Sequence, residues 1–330
     1  MTGQTAQTTL SAKENYVRAM TFGNPHHIPY EEVVHALRFD GDMMWMGEQG
    51  RDRWGVQWEY RLAEYFPLVL EHPLKSPADM DSYQPPEPLF RLKQSSLDEL
   101  APLDRDQLLV MGFHPGVLFE RAWYLLGMDR LLVATITDRE RVRRLLQKIT
   151  DYQVAIARKY VQCDIDGVLV GDDYGTQRAM IISPDSWRAL IKPEIARLVG
   201  VYRAAGKWVK FHSCGHITEI VEDLIEIGVN ILNPCQAGAN NLAEWGERFA
   251  GRVVFEGGMD TQYTMLLGTP EEVRAEARLR IAQLGRDPRG GLLLWADNNL
   301  PISQANRQAL ATAIQELGVY PLRPPERETT

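Results

Sequence analysis

The sequence predicts an α/β fold closed as a (β/α)8, or TIM, barrel, and three observations carry that expectation. After about residue 105, short apolar runs alternate with amphipathic helical stretches. The runs are apolar at nearly every position, as in parallel strands buried on both faces. Every run from residue 167 onward ends in polar or reactive side chains, as the C-terminal rim of a barrel requires. An open doubly wound sheet would gather such residues at one switch point.

In chain order, a first strand is expected near Ile28–Val33. An insertion or lid-like region follows over approximately residues 40–105. Its stretch from Asp52 to Pro88 is first aromatic (Trp54, Trp58, Tyr60, Tyr65, Phe66), with a hairpin-like DRWGVQWEYR, and then Pro-rich. The regular strands are expected at Leu108–Phe113, Gly167–Val170, Trp208–Phe211, Val229–Leu232, Arg252–Phe255 and Leu292–Trp295. Helix starts are marked by Ser76-Pro77, Ser183-Pro184 and Thr269-Pro270, a hydroxyl at the N-cap with proline at the first helical position. Gly206 and Gly285 suit the ends of the last two. The whole, residues 1–330, reads as one domain.

Composition narrows the function. The 330 residues are 45% hydrophobic, enough for a large core and too much for a disordered chain. A net charge of −8, from 44 acidic and 36 basic residues, reads against nucleic acid and anionic membrane as partners. No apolar run approaches the roughly 18 residues of a membrane span. Met1 to Asn15 has neither a basic nor an apolar leader segment. Cys163, Cys214 and Cys235 form no CxxC pair and no disulfide framework, which fits a reducing compartment; a cytoplasmic location is expected. GxGxxG, GxxxxGK[ST], GxSxG and HExxH are all absent.

His212-x-Cys214 is the sharpest chemical signal. Residues i and i+2 of an extended segment point to the same side, so an imidazole nitrogen and a thiolate sulfur can meet one borderline-soft cation such as Zn²⁺. The plain alternative is a buried cysteine packed as a small hydrophobe beside a histidine satisfied by backbone. A third ligand must come from another strand end: Asp297, Cys235 and Glu256 are candidates. Asp172 and Asp173 are adjacent and must face opposite ways, one into a site and the other onto the following loop. They and Gln177 are the candidate catalytic side chains. His114, Trp54, Tyr174, Gln236 and Asp260 are candidate substrate contacts, with core packing as the competing role for Trp54 and a structural role for His114.

The segments GDDYGTQ, SPDSWRALIKPEIARLV, FHSCGHI, EIGVNILNPCQ, EGGMDTQ and GTPEEVR, in that order, resemble the uroporphyrinogen decarboxylase-like superfamily. The likeness spans roughly residues 12 to 318, is clearest after 105, and is to the branch of cobalamin-associated methyltransferases and O-demethylases. It implies a TIM barrel and a zinc ion held by His212, Cys214 and a distant residue of the last strand. That residue is Asp297 here, where the branch often has cysteine. Cys235 is not at a ligand position of that branch. The haem-pathway decarboxylase needs an arginine-rich cradle, and its expected place here reads IPYEEVVHALRFDG, which is acidic. The resemblance further implies methyl transfer between a small substrate and a corrinoid (cobalamin), which a separate protein must carry because no DxHxxG segment is present. Aspartate in place of cysteine favours an oxygen substrate, hence O-demethylation of a methoxylated aromatic. A metal-independent decarboxylase or lyase using Asp172 or Asp173, and a non-catalytic binding barrel, are the alternatives. The oligomeric state, a homodimer included, stays open.

Overall fold

The apolar runs pair edge to edge as parallel strands. The computed structural model describes residues 10–40, 48–61, 67–296 and 300–322. Tyr65, Phe66 and Asp297, singled out above, lie outside them. Helix α1 (Ala12–Met20) comes first, capped by the Ser11 hydroxyl. Strand β1 (Val34–Leu37) follows, then three short antiparallel strands β2 (Gly50–Arg51), β3 (Gln57–Glu59) and β4 (Leu68–Glu71), and helices α2 (Asp79–Ser82) and α3 (Gln94–Leu100). The regular part runs β5 (Leu109–His114), α4 (Phe119–Leu126), α5 (Met128–Thr137), α6 (Arg139–Gln162), β6 (Gly167–Gly171), α7 (Pro184–Leu190), α8 (Lys192–Ala204) and β7 (Trp208–His212). A 3-10 turn (Thr218–Ile220), α9 (Val221–Glu226), β8 (Ile231–Asn233), α10 (Leu242–Phe249) and β9 (Val254–Gly258) come next. The chain continues through α11 (Thr264–Leu267), α12 (Pro270–Leu284) and β10 (Leu292–Trp295) to α13 (Gln304–Leu317).

The main sheet has seven strands in the order β1-β5-β6-β7-β8-β9-β10, every neighbour parallel. It curls. Val33 beside the first strand and Leu293 of the last belong to one apolar cluster, together with Leu109, Ile231 and Val254. Tyr16, Ala19 and Met20 of α1 join that cluster and plug the end of the curl where the strands begin. No ladder joins β10 to β1 among the described residues, so the architecture is a barrel-like curled sheet rather than the full eight-stranded closure expected.

Several boundaries differ from expectation for local reasons. The first strand starts at Val34 because Pro29 lacks an N–H for a ladder; Ile28 instead donates its N–H to Gly318 O at 2.8 Å. The helix after Ser183 divides at Ile191, where Pro193 cannot donate to the preceding turn. At 75–79 the Asp79 carboxylate, not the Ser76 hydroxyl, does the capping, accepting the N–H groups of Lys75 and Ser76. Thr269 and Glu272 form the full reciprocal capping box at α12. Among the described residues no helix is long and apolar enough to cross a membrane.

The aromatic excursion is pinned to the helical layer. Asp52 accepts the N–H groups of Trp54 and Val56 and the indole N–H of Trp58, at 2.8–2.9 Å. The fully buried Arg121 of α4 lies 3.5 Å from Asp52 and stacks 4.6 Å over the Trp54 ring. Trp54 also meets Tyr152 of α6 edge-on. Trp54 is therefore packed between the small sheet and α4 and α6, the core-packing role of the two weighed for it rather than substrate contact.

Candidate functional site

Strand parity decides which side chains reach the concave side. On β7, Val209 and Phe211 are buried among the helices, so Lys210 and His212 face inward. Cys214 keeps the same side two residues on. At the end of β6 the parity separates the two aspartates. Asp172 points outward and accepts the N–H groups of Phe119 and Glu120, each at 2.8 Å, at the first turn of α4. Its carboxylate is used as a helix cap, supplied across space where Leu118 offers no capping side chain. Asp173 points inward and lies 3.7 Å from His212 Nε2. Cys214 Sγ is 3.5 Å from the same nitrogen. The donor atoms of Asp173, His212 and Cys214 all lie within 4.8 Å of one another, the one such group among the described residues.

The loop carrying Cys214 is held by its neighbours at each successive backbone N–H. Ser213 donates to Asn233 O, Cys214 to Asp173 Oδ1 at 2.7 Å, and Gly215 to Gln236 Oε1 at 2.7 Å. His216 donates to Thr176 O at 2.7 Å and Ile217 to Asn240 Oδ1 at 3.1 Å. Contact between the β6 and β7 loops is backbone on backbone. A Cβ on Gly215, whose φ is +80°, would lie 2.3 Å from the carbonyl carbon of Gly175. A Cβ on Gly175 would lie 2.4 Å from His216 N. That crossing of glycines is what carries Asp173 to Cys214.

A polar chain runs from the trio into the curl. His212 Nδ1 is 2.6 Å from Asn233 Oδ1, Asn233 Nδ2 donates to Glu256 Oε2 at 2.8 Å, and Lys210 Nζ donates to Glu256 Oε1 at 2.7 Å. Tyr16 of α1 donates its hydroxyl to Glu256 Oε1 at 3.3 Å. Burial, then the Glu256 charge, pushes the Tyr16 phenol well above its ordinary value. The trio suits a cation by its chemistry: one nitrogen, one sulfur and one carboxylate oxygen, with the imidazole's other nitrogen engaged elsewhere.

Glu120 adds a carboxyl that the sequence reading passed over. It accepts the Asp173 N–H at 3.2 Å and the Tyr124 hydroxyl at 2.8 Å. Burial, then the charges of Asp173 and Asp172, pushes its carboxyl well above the usual carboxylate range. In sequence it is an ordinary acidic residue of a first helical turn, and nothing marks it. Lys210 was passed over too, although a lone lysine inside WVKF, two residues before His212 and so on the same face, marks it.

Other expected site residues sit elsewhere. Glu256 is buried and held by Lys210, Asn233 and Tyr16, behind the trio rather than in it. Cys235 is buried with its thiol on Leu232 O at 3.3 Å, and burial pushes that thiol up. Gln236 supports the Gly215 backbone, and Asp260 accepts the N–H groups of Gln262 and Tyr263 in a turn. Gln177 is exposed on the loop after β6. Tyr174 is fully buried among Phe119, Trp187 and Phe211. Asp297 lies outside the described residues.

His114 points away from the concave side. Its Nδ1 is 2.8 Å from Gln153 Oε1 on α6, and its Nε2 meets the Tyr202 hydroxyl of α8. One donor and one acceptor suit a neutral ring. Burial holds it down to about 4 from an ordinary 6.5. The folded chain thus binds fewer protons than the unfolded chain across that window, so stability present above pH 6.5 is lost as the pH falls toward 4. Urea unfolding of wild type is expected to lose about 2 kcal/mol between pH 7 and pH 5 through this residue. His114→Gln should lack that component; equal pH slopes for the two proteins would contradict it.

Comparison with known proteins places this geometry. Residues 52–293 match the family model described as Uroporphyrinogen decarboxylase (URO-D). Two curated proteins named uroporphyrinogen decarboxylase, from Chlorobaculum tepidum and Chlorobaculum parvum, are each 28% identical over 178 residues, 52% of this chain and 48% of theirs. The match therefore spans about half the length of those relatives. Among solved structures, a methyltransferase from Methanosarcina mazei superposes with a TM-score of 0.66 at 19% identity, over 80% of this chain and 76% of that one, a likeness of fold. With most of the chain inside the family match, from the Asp52 anchor to the last strand, this protein belongs to the uroporphyrinogen decarboxylase (URO-D) family.

Proposed function

We propose that the chain is a zinc-dependent methyltransferase that moves a methyl group between a methoxylated aromatic and a corrinoid carried by a separate protein. The observation that carries this reading is the convergence of Asp173, His212 and Cys214 within 4.8 Å at the mouth of the curled sheet. The fold likeness to a methyltransferase supports it. In this reading Asp173 is the third donor, in place of Asp297, which the family resemblance implied, and of the alternatives Cys235 and Glu256. Asp173, His212 and Cys214 would hold the zinc, which would supply Lewis-acid activation of the aryl ether oxygen as a leaving group, the corrinoid of the partner being the methyl acceptor.

The protein's own side chains set the stage for this. Asn233 turns the His212 ring, Asp173 accepts the Cys214 N–H and holds that residue to the trio, and the glycine crossing keeps the two loops together. The half-buried state of Asp173 and His212 leaves the donors open to a substrate arriving from solvent.

The test is incubation of zinc-loaded protein with a panel of methoxyaromatics and a reduced corrinoid protein, following methylcobalamin by absorbance. Formation in wild type and its loss in Cys214→Ser are expected; no methylcobalamin across the panel contradicts the reading. The names of the curated relatives favour a second reading, a metal-independent decarboxylase. Asp172 is then a poor catalyst, since its carboxylate caps α4, and Asp173 would have to act. Carbon dioxide release from a carboxylated substrate by zinc-free protein would favour that reading.

A further inference from the structure

Resting on the metal-binding reading above, we infer that Lys210 and Glu256 are positioning residues that select the tautomer of His212 through Asn233, and thereby set the metal affinity of the site. The chain of contacts allows one polarity. An ammonium only donates, so Lys210 Nζ gives a hydrogen to Glu256 Oε1. A carboxylate only accepts, so Asn233 must turn its Nδ2 to Glu256 Oε2. Its Oδ1 then faces His212 Nδ1 at 2.6 Å and accepts a hydrogen from it. In the neutral ring this contact places the proton on Nδ1. The Nε2 lone pair is left facing Cys214 Sγ and Asp173 Oδ1. All four side chains come from β7, β8 and β9 on the concave face, and Asn233 and Glu256 are buried, so water does not supply a substitute partner freely.

The same logic predicts an inversion. In Glu256→Gln, Lys210 still needs an acceptor and takes the new amide's oxygen. The amide's NH₂ then donates to Asn233 Oδ1, Asn233 rotates its Nδ2 toward His212 Nδ1, and the ring proton moves to Nε2, where it blocks coordination. Removing the ammonium as well, in Lys210→Met/Glu256→Gln, leaves on that side the Tyr16 hydroxyl, which can accept as well as donate, so the new amide can turn its NH₂ to Tyr16 and its oxygen back to Asn233. The original tautomer should return.

The experiment has two independent readouts on the full chain. Long-range ¹H–¹⁵N spectra of the metal-free protein, with His212 assigned by its loss in His212→Ala, report the tautomer. Competition with a chromophoric chelator reports zinc affinity. Expected are Nδ1–H in wild type, Nε2–H in Glu256→Gln with zinc binding weakened roughly 10–100-fold, and recovery of both in the double variant. If Glu256→Gln alone does not fold, Asn233→Ala carries the test, with loss of the Nδ1–H preference expected. An unchanged tautomer in every folded variant, or unchanged zinc affinity despite a switched tautomer, overturns the inference. Should wild type bind no zinc while the tautomer still switches, the metal reading falls and the tautomer selection stands.

Discussion

On the proposed function, His212→Ala is expected to abolish zinc binding. The imidazole is the central donor, with both Cys214 Sγ and Asp173 Oδ1 measured from its Nε2. Losing it leaves two donors, one of them already accepting a backbone N–H. The affinity loss should exceed the roughly 10–100-fold typical of losing an outer-shell partner, and the proposed methyl transfer should fall with it. The ring is half-exposed at the mouth, so thermal unfolding of the metal-free protein should hardly change. Asp173→Asn keeps an oxygen for the Cys214 N–H while removing the charge, and should also lose zinc. Asp297→Ala should retain it. Metal analysis by mass spectrometry of the purified proteins checks all three, and the reverse order for the two aspartates would return the third position to Asp297.

Gly215→Ala is expected to damage fold and site together. At φ +80° an alanine is strained, and its Cβ would meet the Gly175 carbonyl carbon, an atom of rigid backbone rather than a movable side-chain end. Backbone strain and overpacking together make a loss of roughly 2–4 kcal/mol. Relief can come only by parting the loops after β6 and β7, which separates Asp173 from Cys214, so zinc affinity should fall as well. Gly200→Ala is the control: that position is exposed on α8 with nothing within 4 Å of the new methyl, and alanine there should be neutral or stabilising by up to about 1 kcal/mol. Urea unfolding of both variants decides; equal stabilities would mean that the glycine crossing is not tight.

Much of the scaffold is legible because strand and helix signals are local. The runs at 167, 208 and 292 are strands within a residue or so of expectation, and Ser183 and Thr269 cap their helices. Adjacency alone gave the split between Asp172 and Asp173. What periodicity cannot give is which parity faces inward when a strand is apolar at every position, as LLVMGF is; His114 falls on the outward set with Val110 and Gly112. Packing and substrate contact cannot be told apart for Trp54 in sequence because its buried partner Arg121 lies far along the chain. The role of Asp173 depends on two loops meeting at Gly175 and Gly215, a tertiary contact with no sequence period. Glu120 reaches the site only because α4 starts where Asp172 caps it.

The central claim, a metal gripped by Asp173, His212 and Cys214, is tested most directly by X-ray absorption at the zinc edge of the zinc-loaded protein. One sulfur at about 2.3 Å with nitrogen and oxygen donors at about 2.0–2.2 Å is the predicted shell. A shell without sulfur, identical in wild type and Cys214→Ser, would contradict it.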